Sequence, residues 1–368
     1  MSDFAIGRWV RPEIRAMSAY HVADPGDLLK MDMMENPYTW NGALREAWSE
    51  RLRAIDVNRY PDPQARALKQ RLGEAFAIPP EAGILLGNGS DELIQMILMT
   101  VARPGRVVLS VDPGFVMYRL IATFTGMDYV GVPLRADDFS LDTEALLDAI
   151  ERHDPAVVFL AYPNNPTGNL FPAEAIRRVL DAASGLVVVD EAYAPFTDAS
   201  FLPELMAHPR LLVMRTVSKM GLAGLRLGYL AGAPEWIAEL DKTRLPFNIN
   251  SLTQVSADFA LEHKAELDRQ TEAIRAQRDE LFTRLQALDG LRLYPSEANF
   301  ILARTAPGRA DAVHHGLREH GILIKNLHGA HPMLADCLRI TVGTPDENQA
   351  LLAALGELIS DGVLADDR

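Results

Sequence analysis

Cysteine is all but missing from this chain of 368 residues: Cys337 stands alone, so no internal disulfide can form. That usage fits a reducing compartment, and the cytoplasm is the expected one. Long apolar runs are missing too. Nowhere do about 18 apolar residues follow one another, the length a membrane helix needs, so no membrane partner is expected. The first residues, Met1–Arg8, lack the basic start and apolar stretch of a secretory leader. Positive charge is in deficit. Against 36 Lys plus Arg stand 50 Asp plus Glu, a formal net charge of −14, which repels phosphate backbones and argues against nucleic-acid binding. Repeats, low-complexity tracts and Gly/Ser linkers do not occur, and no metal is called for.

What is present is alternation. Arg106–Val111, Ala156–Ala161, Leu186–Asp190, Leu211–Thr216 and Leu227–Ala231 are short β-branched or apolar runs ending in turn signals. They are apolar on both faces, as parallel strands between two helical layers are. Helical patterns such as Asp91–Val101 and Pro172–Ala183 separate them. The expected fold class is α/β, with a large doubly wound, mostly parallel sheet domain over residues 45–250. From Leu252 to Leu288 the chain is charged and amphipathic without proline or glycine, which predicts one or two long helices. Short strands at Leu291–Leu293, Phe300–Ala303, Ile322–Lys325 and Leu338–Val342, with helices at Ala310–Glu319 and Glu347–Ile359, complete a smaller α+β lobe over 251–368. Residues 1–44, punctuated by Pro12, Pro25 and Pro37, are expected to pack on that lobe.

Four motifs lie just beyond predicted strands, where ligands bind in α/β sheets. Asp190 ends GLVVVDEAY, and by itself such an acid serves equally as a turn cap. Lys219 follows in TVSK, with Ser218 before it and Arg226 seven positions on. A strand-end lysine is ordinarily a solvated surface group, but a desolvated one loses its proton and attacks an aldehyde. The loop AYPNNPTGN holds Asn165, which could donate a hydrogen bond from a rigid turn or simply close the turn. LGNGSDE opens a helix with glycines, a cup of backbone N–H groups that suits a phosphate. Together they provide a phosphate cup, a donor to a ring oxygen, an acid partner for a pyridine nitrogen and an amine for an aldehyde.

The strings GNGSDE, YPNNPTG, VVVDEAY and SKMGLAGLRLGYL closely resemble those of the fold-type I pyridoxal-5′-phosphate (PLP) aminotransferases, over essentially the whole chain. Within that family the likeness is greatest to the histidinol-phosphate aminotransferase branch, on MENPY (34–38), NRYPDP (58–63), EANFIL (297–302) and LRITVGTPDE (338–347).

The resemblance implies the PLP-transferase fold, with PLP as cofactor and Lys219 holding it as a Schiff base and shuttling a proton. Asp190 would pair with the pyridine nitrogen, and Asn165 and Tyr193 with the ring oxygen. The amides of Ser90 and Asp91, with Ser218 and Arg226, would bind the phosphate, and Tyr118 would stack on the ring. Tyr60 would reach the cofactor phosphate of a neighbouring subunit, so a homodimer with a shared site is implied. Tyr20, Lys325 and Arg339 would hold the anionic end of the substrate. Lys325 stands where the family often has an arginine, and offers a point charge rather than a fork. The implied reaction is transamination between L-histidinol phosphate, a phosphorylated amino alcohol, and the 2-oxo acid 2-oxoglutarate. An aromatic amino-acid aminotransferase and a PLP-dependent threonine-phosphate decarboxylase use the same lysine and aspartate, and are the alternatives. A transcriptional regulator built on such a domain would carry an N-terminal DNA-binding helix-turn-helix, for which the short proline-punctuated start has no room.

Overall fold

A computed structural model describes residues 6–364. The first five residues, part of the segment without leader character, and the last four lie outside the described residues. The strands, in chain order, are β1 (Leu29–Met31), β2 (Gly83–Asn88), β3 (Val107–Asp112), β4 (Asp128–Pro133), β5 (Val157–Ala161), β6 (Leu186–Asp190), β7 (Leu211–Thr216), β8 (Leu227–Gly232), β9 (Leu291–Tyr294), β10 (Phe300–Thr305), β11 (Ile322–Asn326) and β12 (Cys337–Thr341). Seven form a sheet in the order β2-β8-β7-β6-β5-β3-β4, and five a second sheet, β1-β11-β12-β10-β9.

The larger sheet is buried on both faces because its central strands are apolar at every position. Side chains alternate faces along a strand. Val158, Leu160, Val187, Val189 and Val213 therefore join one core, while Val157, Phe159, Leu186, Val188, Leu212 and Met214 join the other. Each such side chain contributes about 1.5–3 kcal/mol by leaving water. β3 through β7 run parallel. β3 lies between β4 and β5, so the chain reverses its direction of winding there, and the strand ends of β3, β5, β6 and β7 open on one crevice.

One strand corrects the sequence reading. Leu227–Ala231 was expected to be parallel with the rest, and the strand there, Leu227–Gly232, runs antiparallel to both β7 and β2. Only residues 217–226 separate it from β7, as two short 3-10 turns. A parallel return needs about a dozen residues and normally a helix. Strand β4 had not been expected, and β2 had been expected only as a strand without bounds ahead of the glycine turn. The long amphipathic stretch is two helices, Ser251–Glu262 and Lys264–Gln286, meeting at His263.

The small sheet receives its edge from the N-terminal segment: Leu29–Met31 pairs parallel with Ile322–Ile324. Among the described residues no helix is long and apolar enough to cross a membrane.

A buried ion pair ties β6 to β7 just outside the crevice. The Glu191 side chain has no exposed surface and accepts from Arg215 Nη2 (2.6 Å) and Nε (2.9 Å), Ser200 Oγ (3.0 Å) and the Phe201 amide (2.5 Å). Removing one partner strands the other's charge. Arg215→Met is expected to lower stability in urea by about 3–5 kcal/mol; an unchanged unfolding midpoint would show that the pair contributes nothing.

Candidate active site

The crevice is built from strand ends. Asp190 is the last residue of β6, 3% exposed. Its carboxylate accepts the Tyr118 hydroxyl (2.7 Å) and the Ala192 amide (3.1 Å). Burial nevertheless dominates and lifts its pKa to about 6, with those two donors pulling the other way. Lys219 stands on the turn after β7. The residue keeps some exposed surface, yet its amine is packed among protein atoms, and desolvation, helped by Arg339, lowers its pKa to about 8. Lys219 Nζ donates to the Met33 carbonyl (3.2 Å) and lies 5.9 Å from the centre of the Tyr193 ring.

From Tyr193 a chain of contacts crosses to the small lobe. Asn165, in the loop after β5, donates from Nδ2 to the Tyr193 hydroxyl (3.1 Å) and accepts Arg339 Nη1 at Oδ1 (2.7 Å). Arg339 Nη2 donates to the Asp32 carbonyl (3.0 Å). The Arg339 Nε–H, buried, has no partner. Tyr20 is exposed and close enough to act electrostatically on Arg339, and Lys325 lies directly across the β11/β12 ladder from it.

The glycine turn prepares a second polar pocket. Gly89 precedes the helix Ser90–Val101 with φ +80°, a conformation that favours glycine, and no side chain caps that helix. Gly228 of β8 packs against this turn so tightly that a Cβ there would sit 2.7 Å from the Gly89 carbonyl carbon and 2.9 Å from the Ser90 nitrogen. Arg226 reaches the turn from the other side, with Nη2 3.3 Å from Asp91 Oδ2. Ser218 is fixed by Thr216, whose Oγ1 lies 2.8 Å from Ser218 Oγ and accepts its amide (3.1 Å). Free helix amides, a guanidinium and a hydroxyl fit a phosphate. The buried acid and desolvated amine fit a pyridine nitrogen and an aldehyde. The donor set as a whole therefore fits PLP. Among the described residues, no cluster of His, Cys, Asp and Glu is arranged to hold a metal.

Thus the structure brings Lys219, Asp190, Tyr193, Asn165, Ser218, Arg226, Ser90, Asp91 and Arg339 around one crevice. Tyr118 departs from expectation. It is wholly buried, its ring stacks on Phe159 (4.6 Å, 12°), and its hydroxyl is used on Asp190, so it supports the acid from behind instead of covering a ring. Phe115, edge-on to Tyr118 at 5.5 Å, is the partly exposed aromatic at this strand end. Tyr60 stands apart from the crevice, 82% exposed, with its ring stacked on Phe247 (4.4 Å). Several contributors went unassigned in the sequence: the Met33 carbonyl, Thr216, Asp32, and Asn36, which donates to the Met220 carbonyl (3.2 Å) beside Lys219. Asn36 lies inside the MENPY string, the one signal that could have pointed to it.

Comparison with known proteins identifies the family. Residues 28–355 match the family model described as aminotransferase class I and II. The chain is 58% identical over 355 residues to histidinol-phosphate aminotransferase 2 of Nitrosococcus oceani, covering 96% of this chain and 98% of that one. It is 53% identical to histidinol-phosphate aminotransferase of Chromobacterium violaceum, covering 94% and 96%. Among solved structures, the histidinol-phosphate aminotransferase of Sinorhizobium meliloti in complex with pyridoxal-5′-phosphate superposes with a TM-score of 0.85 at 28% identity, covering 96% and 98%.

Tyr118→Phe removes a donor that holds the Asp190 pKa down. Asp190 then takes up a proton at higher pH, and the acid limb of PLP binding moves upward from about 6. A lost hydrogen bond of about 1 kcal/mol predicts roughly fivefold weaker cofactor binding at that limb. Titration of the apoprotein with PLP across pH checks this; an unmoved limb would contradict the Tyr118–Asp190 link.

Proposed function

The chain belongs to the class I and II aminotransferases, and on that premise we propose that it transfers the amino group of L-histidinol phosphate to 2-oxoglutarate, giving imidazole-acetol phosphate and L-glutamate in histidine biosynthesis. The observation that carries the reading is the hydrogen-bonded path Tyr193–Asn165–Arg339, which ends beside Lys219 at one side and at a buried, unpartnered guanidinium N–H at the other. The relatives described above are named for this reaction, not for threonine-phosphate decarboxylation or aromatic transamination.

When bound, PLP supplies an aldehyde and an electron-withdrawing ring. The protein does the rest. Ser90 and Asp91 amides, Ser218 and Arg226 would bind the cofactor phosphate. Asp190 would hold a proton on the ring nitrogen, and Asn165 and Tyr193 would fix the ring oxygen. Burial lowers the Lys219 pKa to about 8, so its Nζ would condense with the aldehyde with loss of water and, once displaced by the substrate amine, would take a proton from the substrate carbon and return it. Arg339, Lys325 and Tyr20 orient the substrate by its anionic end.

A homodimer completes the site. Val57, Tyr60 and Leu245 are large apolar side chains left exposed (76%, 82% and 73%), as at surfaces that a partner covers, and Tyr60 from one subunit would meet the phosphate held by the other. The lone, buried Cys337 supports a cytoplasmic setting.

The test is spectroscopic. Histidinol phosphate should convert the absorption band of the lysine-linked cofactor to that of its aminated form, and 2-oxoglutarate should restore it. The kcat/KM for histidinol phosphate should exceed that for phenylalanine by at least about tenfold. Preference for phenylalanine, or carbon dioxide release from threonine phosphate, would overturn the substrate assignment.

A further inference from the structure

Three charged residues form a row across the small sheet. Lys325 of β11 lies opposite Arg339 of β12. On the other side β1 runs beside β11 with Met31 opposite Ile324, which brings the next residue, Asp32, level with Lys325. Met31, Ile324, Leu338 and Ile340 point into the small lobe's own core. Alternation along the strands therefore sends Asp32, Lys325 and Arg339 the other way, toward the crevice where Arg339 meets Asn165.

Two of the three are incomplete. Asp32 is 3% exposed and Arg339 7%. Asp32 Oδ1 and Arg339 Nε are both buried without a hydrogen-bond partner. The two residues are nonetheless joined, because the Asp32 carbonyl steers Arg339 through Nη2. A buried acceptor and a buried donor on one face of the small sheet, each unsatisfied, call for a ligand group offering both an acceptor oxygen and an O–H.

We propose that Asp32 shares a proton with the anionic end of the substrate, and that this proton selects a phosphate monoester over a carboxylate. The proposal rests on the transamination reading given above. A phosphate monoester loses its last proton at about pH 6, so near neutrality it can carry an O–H to Asp32 Oδ1 while another of its oxygens accepts from Arg339 Nε. No covalent bond changes, and one proton lies between the two acids. A ligand carboxylate gives up its proton at about pH 4, and would face Asp32 charge to charge. Asp32 has Lys30 on its own strand, ion-paired with Glu35 (2.6 Å), and Lys325 and Arg339 on the strands beyond; Tyr20, Tyr193 and Lys219 stand around Arg339. Burial raises the Asp32 pKa and its lysine neighbours lower it, the first effect being the larger.

The sign of the pH dependence follows. Asp32 is an acid with a raised pKa, so the complex keeps a proton that the separated partners release as pH rises. Above about pH 7, binding should weaken by about tenfold per unit. Asp32→Asn donates an N–H at every pH and should flatten that slope to within about twofold, while raising kcat/KM for phenylalanine by roughly tenfold. Calorimetric titration of the holoenzyme with methyl phosphate, from pH 6.5 to 8.5, reads the slope without turnover. Asp32→Ser, which removes the acid without adding an amide, should also lose it. Retention of the slope in both variants would overturn the proposal. So would an unchanged response to phenylalanine. If histidinol phosphate is not turned over at all, the reaction assigned above falls, and the methyl phosphate slopes still decide the role of Asp32.

Discussion

Desolvation of two opposite groups at neighbouring strand ends governs the rest of the site. Asp190 ends β6 and Lys219 follows β7, two strands paired in the middle of a sheet buried on both faces. Removal from water disfavours the charged form of each, so the acid rises to about 6 and the amine falls to about 8. The same cause moves both toward neutrality, where a group can give and take a proton within one reaction cycle. The acid stays usable because Tyr118 and the Ala192 amide hold it, and the amine because the Met33 carbonyl does. The apolar strands are thus part of the chemistry, since they create the low-dielectric setting in which the two groups are tuned.

The small lobe reaches that setting through the N-terminal segment. β1 joins the edge of the small sheet, and the residues just after it supply the Asp32 carbonyl to Arg339, the Met33 carbonyl to Lys219 and the Asn36 side chain to the lysine turn. Asn165 answers from the large lobe. The Arg339 guanidinium on one sheet and the Asp190 and Lys219 groups on the other are therefore fixed relative to each other by a few hydrogen bonds across the crevice. A substrate that satisfies the open Arg339 Nε–H completes the same network.

Much of this was legible in the sequence where two signals coincided. An apolar run ending in a chemically useful residue located Asp190, Asn165 and the lysine turn, because a buried strand has only one open end in an α/β sheet. Direction was not legible in Leu227–Gly232, since a strand apolar on both faces looks the same whether parallel or antiparallel; the short connection of residues 217–226 was the available clue. The bounds of β2, and β4 altogether, were hidden by glycines and polar positions that weaken the strand pattern. Tyr118 was misplaced because a pattern gives the residue and not its facing. One helical turn earlier, Phe115 stands at the strand end, while Tyr118 points inward under Asp190. Asp32 and the Met33 carbonyl carry no local signal, because their roles arise only when the first lobe meets the second.

Lys219 is the amine proposed to bond the cofactor. Borohydride reduction of the PLP-loaded protein, followed by digestion and mass spectrometry, tests it most directly. The predicted result is a pyridoxyl mass on the peptide carrying Lys219 and on no other, with none in Lys219→Ala. Label on a different lysine, or a loaded protein that takes up no label, would contradict it.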